Sequence, residues 1–229
     1  MRGCAAAKRG ATRLMQGMVI AIDGPAGAGK STVAKGVAKA LGFTYLDSGA
    51  MYRAVALAAL DRGIDPDDGE RLGELAWDLD IDFEGDSIRL SGKPVEGRIR
   101  SPEVTVAASR VSVHPQVRQA MVKRQRELIA AGNYVAEGRD IGTVVSPDSP
   151  LKVFLTANEK ERARRRAAES GESVTQVQDA IRDRDRRDRE RSDSPLQAAE
   201  GSIDIDTTDL TSDQVAERIV ALARERGIA

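Results

Sequence analysis

The stretch Val19-Ile20-Ala21-Ile22-Asp23-Gly24-Pro25-Ala26-Gly27-Ala28-Gly29-Lys30-Ser31-Thr32 decides the fold. Its apolar head, residues 19–22, has the length of a buried strand, and residues 30–41 carry the pattern of a helix. Between them, residues 24–31 read GxxxxGKS. Glycines at 24, 27 and 29 let the backbone curl until successive N–H groups face one point, and the helix adds the positive end of its dipole there. Polyphosphate fits such a cradle. Lys30 is placed to reach β- and γ-phosphates, and the Ser31 hydroxyl to hold Mg²⁺, a hard cation that prefers oxygen ligands and keeps several waters. A glycine-rich turn without a ligand is the alternative, and the complete pattern in its strand-loop-helix setting argues against it.

Beyond this loop, Val33, Val37 and Leu41 recur at the spacing of helical turns with Ala34 and Ala38 beside them, a face made to pack on a sheet. Four more short apolar runs, residues 43–46, 134–136, 151–155 and 203–205, read as strands separated by helix patterns. The alternation predicts an α/β domain: a parallel sheet covered on both faces, with ligands gathered at the carboxyl ends of the strands. Helix punctuation agrees. Pro102 after Ser101 and Pro115 after His114 sit at first helical positions, Asn158 with Glu161 and Thr211 with Gln214 have capping-box spacing, and Gly227 closes the last helix.

Residues 61–101 break the alternation. A helix containing Leu72, Leu75 and Trp77 precedes Ile81-Asp82-Phe83, a Glu84-Gly85-Asp86 turn, Ile88-Arg89-Leu90 and Lys93-Pro94-Val95. Short strands with tight turns predict a small antiparallel insert, a lobe standing off the main sheet. Trp77, flanked by Leu75 and Leu79, is expected in the core rather than as a platform for a base.

Three polar clusters follow strands or line a helix. In Leu46-Asp47-Ser48-Gly49-Ala50-Met51-Tyr52-Arg53 a strand ends and a helix begins, which makes a second anion site with Arg53 one turn in. An N-cap serine and a surface arginine are the plainer reading. Glu137-Gly138-Arg139-Asp140 falls at the carboxyl end of the third strand, where an α/β sheet presents its functional groups. Along Arg182-Asp183-Arg184-Asp185-Arg186-Arg187-Asp188-Arg189-Glu190-Arg191, residues 184, 187, 188 and 191 share one helical face that could grip a phosphate and a sugar. Alternating charge equally describes a solvated face laced with ion pairs. A phosphoryl-transfer enzyme needs arginines that close over the transferring group, and this segment, preceded by Arg162, Arg164, Arg165 and Arg166, is the best supply.

Composition narrows the partners. The chain has 229 residues, enough for one large domain or a domain with an insert, and no apolar run approaches the roughly 20 residues of a membrane span. A soluble protein is expected. Lys and Arg number 35 against 36 Asp and Glu, so no global charge draws it to nucleic acid or acidic lipid. Cys4 is alone, which excludes an internal disulfide and a thiolate zinc site and fits a reducing cytoplasm. His114 is also alone, so a multi-histidine metal centre is excluded. Residues 1–17 carry Arg2, Lys8, Arg9 and Arg13 without an acid and make a poor signal peptide; they read as a disordered or cloning-derived extension, with the folded domain over 18–229.

The segments IDGPAGAGKST, LDSGAMYR, EGRDIGTVV and RDRRDRERSDSPL together resemble bacterial cytidylate kinases, P-loop nucleoside monophosphate kinases that pass the γ-phosphate of ATP to CMP or dCMP. The resemblance spans residues 18 to about 226 and keeps the motifs in the family's order. It implies a five-stranded parallel sheet, a monophosphate-binding insert at about 61–101 and a helical lid at about 159–191. It implies that Gly24, Pro25, Ala26, Gly27, Ala28, Gly29, Lys30, Ser31 and Thr32 hold ATP with Mg²⁺ at Ser31, and that Lys30 stabilises transferring charge. It also implies that Ser48, Arg53, Arg139 and Arg191 surround the acceptor phosphate, that Asp188 with Arg184 takes the ribose, and that Ser109, Arg118 and Asp140 read the base. Ser31 replaces a glycine of some relatives and restores a hydroxyl for the metal. The basic amino-terminal extension has no counterpart in the family pattern. A monomer in the cytoplasm, with no nucleic-acid or membrane partner, is expected.

That assignment is chemically sound. Cytosine offers an N4 donor beside N3 and O2 acceptors, which a carboxylate and a guanidinium satisfy together. Uracil reverses part of that edge and leaves buried groups unpaired at about 1–3 kcal/mol each. The acceptor phosphate, with a second pKa of about 6, is largely ionised at neutral pH and needs no general base, so scarce histidine is no handicap. Two other readings stay open at this point: a kinase of hydroxyl groups with Asp140 as base, and an RNA-binding protein regulated by its P-loop. Interleaved acids and 3% aromatic content speak against the second.

Overall fold

Strand β1 (Val19–Asp23) is buried at every position, as the central strand of a parallel sheet covered on both faces must be. The computed structural model describes residues 17–228, so the expected extension, with Cys4, lies outside the described residues except for Gly17. After β1 come α1 (Lys30–Leu41), β2 (Thr44–Asp47), α2 (Ser48–Asp61), α3 (Gly69–Asp78), β3 (Ile81–Glu84), β4 (Ser87–Leu90), β5 (Lys93–Pro94) and α4 (Glu96–Ile99). The chain continues through α5 (Pro102–Val111), α6 (Pro115–Ile129), β6 (Tyr134–Gly138), a π-helical turn (Ile141–Val145) and β7 (Leu151–Thr156). It ends with α7 (Glu159–Ser170), α8 (Val174–Glu190), β8 (Ile203–Asp206) and α9 (Ser212–Glu225).

Five strands form a parallel sheet in the order β2-β6-β1-β7-β8. Each run read as a strand is one, the second displaced by one residue. Period-two alternation divides their side chains between two cores. Ile20, Ile22, Tyr45 and Val135 pack with Val33 and Val37 of α1 and Val215 and Ile219 of α9. Val19, Ala21, Leu46 and Ala136 face the other way, onto α2, α5 and α6. Register sets Asp23 beside Gly138 and Asp47 beside Glu137, so the carboxyl ends of β1, β2 and β6 finish level.

The antiparallel strands expected in the insert are present, in the order β3-β4-β5. They do not form a core of their own. Leu72, Leu79, Ile81, Ile88, Val95 and Ile99 join the cluster that holds Leu46, Val55 and Ala136. Strands of four, four and two residues are too small to stand alone, so the sheet lays its apolar face on the main domain. Trp77 departs from expectation. It is 50% exposed, with Lys123 Nζ 5.7 Å from its ring centre, because it lies two positions beyond Leu75 and so on the opposite side of α3 from buried Leu72, Leu75 and Ala76.

Caps close the helices as the sequence suggests. Thr211 and Gln214 form a reciprocal capping box, Asn158 Oδ1 accepts from Glu161 N at 2.8 Å, and Ser101 caps α5 ahead of Pro102. At α2 the cap is Asp47, not the neighbouring serine: its Oδ1 accepts from Ala50 N at 2.9 Å. Among the described residues no helix is long and apolar enough to cross a membrane.

Candidate active site

The glycine loop leaves β1 at the level edge of the sheet. Gly24 (φ 151°) passes so close to β7 that a Cβ there would sit 2.2 Å from the Leu155 carbonyl oxygen. Gly27 (φ 75°) likewise admits no side chain, since Arg162 Cβ lies 3.0 Å from where one would begin. Lys30 is buried at the start of α1, and its Nζ donates to the Pro25 carbonyl at 2.7 Å. Burial and the nearby Arg139 pull its pKa well below the ordinary lysine range. Ser31 and Thr32 follow in the exposed first turn.

Two acids stand side by side against this turn. Asp47, the last residue of β2, and Glu137, the last but one of β6, pair in register on the α1 face of the sheet. Burial, and then the Asp47 charge, push the Glu137 carboxyl up from its usual range. The Tyr45 hydroxyl donates to Glu137 Oε1 at 2.7 Å, and the Ser31 hydroxyl lies close to both. Asp47 Oδ2 is buried with no hydrogen-bond partner, and Arg100 Nη2 lies 3.7 Å away. Among the described residues no three His, Cys, Asp or Glu gather around a point. The hydroxyl and two carboxylates are nonetheless the hard oxygens that suit Mg²⁺, with water completing its shell.

Facing the acids is an excess of guanidinium groups. Arg53, one turn into α2, has no hydrogen-bonding partner among the described residues, and burial with nearby Arg100 and Arg166 lowers its pKa while Asp47 opposes the fall. Arg184 of α8 is pulled down to about 9 by burial and by Arg139, with Arg53 and Arg166 contributing, and its Nε is buried without a partner. Arg139 donates from Nε to Asp188 Oδ2 at 2.9 Å. Ser48 donates to the Glu137 carbonyl at 2.6 Å. Arg191, just past the end of α8, donates to the Ser194 carbonyl at 2.7 Å and lies 3.9 Å from both Asp140 and Asp188. The face of α8 read from the sequence is real: Asp188 is buried, Arg184 and Arg187 are half-buried, and Arg182, Asp183, Arg186 and Arg189 are the solvated remainder.

A third group adjoins the second through Arg191. Arg118 of α6 is 1% exposed; its Nη2 donates to Asp140 Oδ2, its Nη1 to the Ser112 carbonyl at 3.2 Å, and its guanidinium lies 5.4 Å from the centre of the Tyr52 ring. Ser109 of α5 is buried, and its hydroxyl accepts from Arg187 Nε at 3.1 Å. The structure therefore brings Ser48, Arg53, Arg139, Arg184, Asp188 and Arg191 together beside the glycine loop, with Ser109, Arg118 and Asp140 adjoining.

A family model described as cytidylate kinase matches residues 20–225. The chain belongs to the cytidylate kinase family. It is 50% identical over 211 residues to a cytidylate kinase of Caldanaerobacter subterraneus, covering 90% of this chain and 94% of that protein. It is 48% identical over 219 residues to the cytidylate kinase of Mycolicibacterium paratuberculosis, covering 91% and 96%. Among solved structures, a gluconokinase from Sinorhizobium meliloti is similar with a TM-score of 0.51 at 14% identity, covering 93% and 95%, which speaks for the fold alone. Family membership makes the protein a phosphotransferase, and a kinase of this family uses ATP.

Several residues of this cytidylate kinase site escape a reading by motif. Glu137 stands in the sequence as the first member of EGRD, and an acid near the carboxyl end of a strand is the only signal it gives; that this strand lies between β2 and β1 is seen in the fold alone. Tyr45 and Arg100 gave none, because their part depends on which strand and which insert helix lie next to β6. Arg162 and Asp185 read in the sequence only as charges in a run, yet both grip the backbone of the glycine loop.

Proposed function

We propose that this protein transfers the γ-phosphoryl group of ATP to the phosphate of CMP and of dCMP, giving CDP and dCDP, by in-line displacement. The observation that carries the reading is the cationic cluster at the glycine loop: Lys30 is buried, Arg53 and Arg184 are half-buried beside it, Arg184 Nε is buried without a partner, and neither arginine has a hydrogen-bond partner among the described residues. Such a cluster is costly unless a polyanion offsets it.

In this reading residues 24–32 cradle the donor phosphates and Lys30 leaves Pro25 for the transferring group. Arg53, Arg139 and Arg191, with Ser48, hold the acceptor phosphate in line. The acceptor oxygen forms the new bond to phosphorus as the bond to ADP breaks, and no side chain has to remove a proton. Ser31, Glu137 and Asp47 would hold Mg²⁺, which supplies neutralising charge to the β- and γ-phosphates. Asp188 and Arg184 take the ribose. Asp140 and Arg118, aligned by their mutual ion pair, present an acceptor and a donor to cytosine, with Ser109 beside them. Committed to Arg118 in this way, Asp140 is poorly placed to act as the base of an alcohol kinase.

The antiparallel insert then serves as the monophosphate-binding part and the α7-α8 hairpin as the lid. The balanced charge speaks against a nucleic-acid partner. A coupled assay with ATP and Mg²⁺ against CMP, dCMP, UMP, AMP and a panel of alcohols tests the reading. Turnover with CMP and dCMP well above the rest is expected; an alcohol as the better acceptor would overturn it.

A further inference from the structure

We infer that Asp185 is a positioning residue that couples the donor and acceptor sites through helix α8. The inference rests on the proposed assignment of the glycine loop to the donor and of the Arg139-Asp188 side to the acceptor.

Asp185 and Arg162 bracket one residue of the glycine loop. Arg162 Nη1 donates to Asp185 Oδ2 at 2.5 Å and to the Ala26 carbonyl at 3.0 Å, while Ala26 N donates to Asp185 Oδ1 at 3.3 Å. Both polar groups of the Ala26 backbone are thus held by the α7-α8 hairpin. The two side chains are 8% and 6% exposed, so the pair is desolvated, and separating it would strand a buried charge. Gly27 adds a steric term, because Arg162 lies against the place where its Cβ would be.

One helical turn further along α8 the contacts change sides. Asp188 accepts from Arg139 Nε at 2.9 Å, and Arg187 donates to Ser109 Oγ at 3.1 Å. Three residues of α-helix rise about 4.5 Å, a distance a helix spans as a rigid strut. A displacement of the loop at Ala26 is therefore passed through Asp185 to the residues that hold Arg139 and Ser109. Neither Arg162 nor Asp185 has to touch a substrate for this to work. Any ligand that favours the gripped arrangement at one end favours it at the other, and linkage makes the effect reciprocal.

The test is calorimetric titration of CMP into the full chain, with and without a saturating non-hydrolysable ATP analogue and Mg²⁺. The native protein is expected to bind CMP at least fivefold more tightly when the analogue is present, and the analogue more tightly by the same factor when CMP is present. Asp185→Asn, which keeps the shape and removes the charge, is expected to bring that factor within twofold of one while leaving the affinity for CMP alone within twofold of native. The double variant Asp185→Asn, Arg162→Gln strands no buried charge and gives the same loss should the single variant fold poorly. A coupling factor within twofold of native in a folded variant, no coupling in the native protein, or a loss of affinity for CMP alone as large as the loss of coupling would each overturn the inference. Native protein that binds no CMP under either condition would instead remove the site assignment beneath it, and the missing binary heat distinguishes that case.

Discussion

The Tyr45 hydroxyl donates to Glu137 Oε1 at 2.7 Å across adjacent strands of the sheet. Tyr45 pairs with Val135 in the β2-β6 register, and Glu137 lies two residues on, so the contact is the diagonal neighbour on one face. That geometry holds a buried carboxylate beside Asp47 and beneath the first turn of α1. Two adjacent acids at this depth repel each other, and a divalent cation at Ser31 would relieve the repulsion.

Glu137→Gln is accordingly expected to raise the free Mg²⁺ needed for half-maximal rate by about tenfold or more, the order of effect seen when metal-ligand partners are lost. Tyr45→Phe removes only a neutral donor and should cost about 1 kcal/mol of stability with a smaller change in Mg²⁺ demand. Rate measured against free Mg²⁺ at saturating ATP checks both, and an unchanged Mg²⁺ dependence in Glu137→Gln would remove the metal role given to that carboxylate.

Arg53 and Arg139 should separate in stability while agreeing in rate. Each replaced by Ala is expected to lower kcat by about 10²–10³, as loss of one charge-stabilising donor does, with KM for ATP changed by less than about threefold. Arg53 has no hydrogen-bond partner among the described residues and sits among other cations, so Arg53→Ala is expected to melt no lower than the native protein. Arg139→Ala leaves Asp188 buried without its hydrogen-bonded cation and should melt lower. Steady-state kinetics with thermal melts decides, and unchanged turnover in both variants would refute the assignment.

Asp140→Asn is expected to erode the preference for CMP over UMP, because the carboxylate that accepts from the cytosine amino group becomes an amide able to present either a donor or an acceptor. It also takes from Arg118, 1% exposed, the carboxylate it is hydrogen-bonded to, leaving Asp193 at 3.8 Å from Nε as the remaining acid, so the variant should melt lower. Comparing kcat/KM for the two nucleotides in folded variant separates the effects. A preserved CMP preference would move base reading elsewhere in the pocket.

The sheet was legible because its strands are short apolar runs bounded by loop residues, and the phosphate loop because its glycines and lysine are contiguous. The antiparallel turn at Gly85 was equally plain. What hid was whatever depends on a partner distant in the chain. Trp77 beside Leu75 looks like core until the phase of α3 sends it outward. The insert looks like a separate lobe until Ile81 and Ile88 are seen packed into the same core as Leu46. Glu137 shows its acid but not its neighbours Tyr45 and Asp47, and Asp185 is one charge among ten until Ala26 is found against it. The π-helical turn at Ile141–Val145 has no period of its own; it is fixed by contact with β1.

That contact yields a prediction about pH. Asp23 ends β1 with its carboxylate turned to the π-helical turn, where Oδ1 accepts from Ile141 N at 2.9 Å and Oδ2 from Gly142 N at 2.7 Å. These two bonds favour the ionised form, and so does Lys30, but burial outweighs them and Asp140 adds to it, so the pKa is pushed up to about 6. In an unfolded chain the group titrates near 3.8. Between those values the folded state holds a proton that the unfolded state has released, so the contribution of Asp23 to stability is complete below pH 3.8 and is lost as pH rises through 6. The whole swing is about 3 kcal/mol. Asn has the shape of the protonated acid and cannot titrate. Urea unfolding of the native protein and of Asp23→Asn, followed from pH 3.5 to 7, should therefore show the native protein losing about 3 kcal/mol relative to the variant, with the steepest change between about pH 4 and 6. Because the same carboxylate secures the turn behind Arg139 and Asp140, the variant is also expected to bind CMP less tightly at neutral pH, where the native group is charged and accepts both N–H groups. Parallel stability curves for the two proteins across that range would show that the two backbone hydrogen bonds, and not burial, set the charge of Asp23.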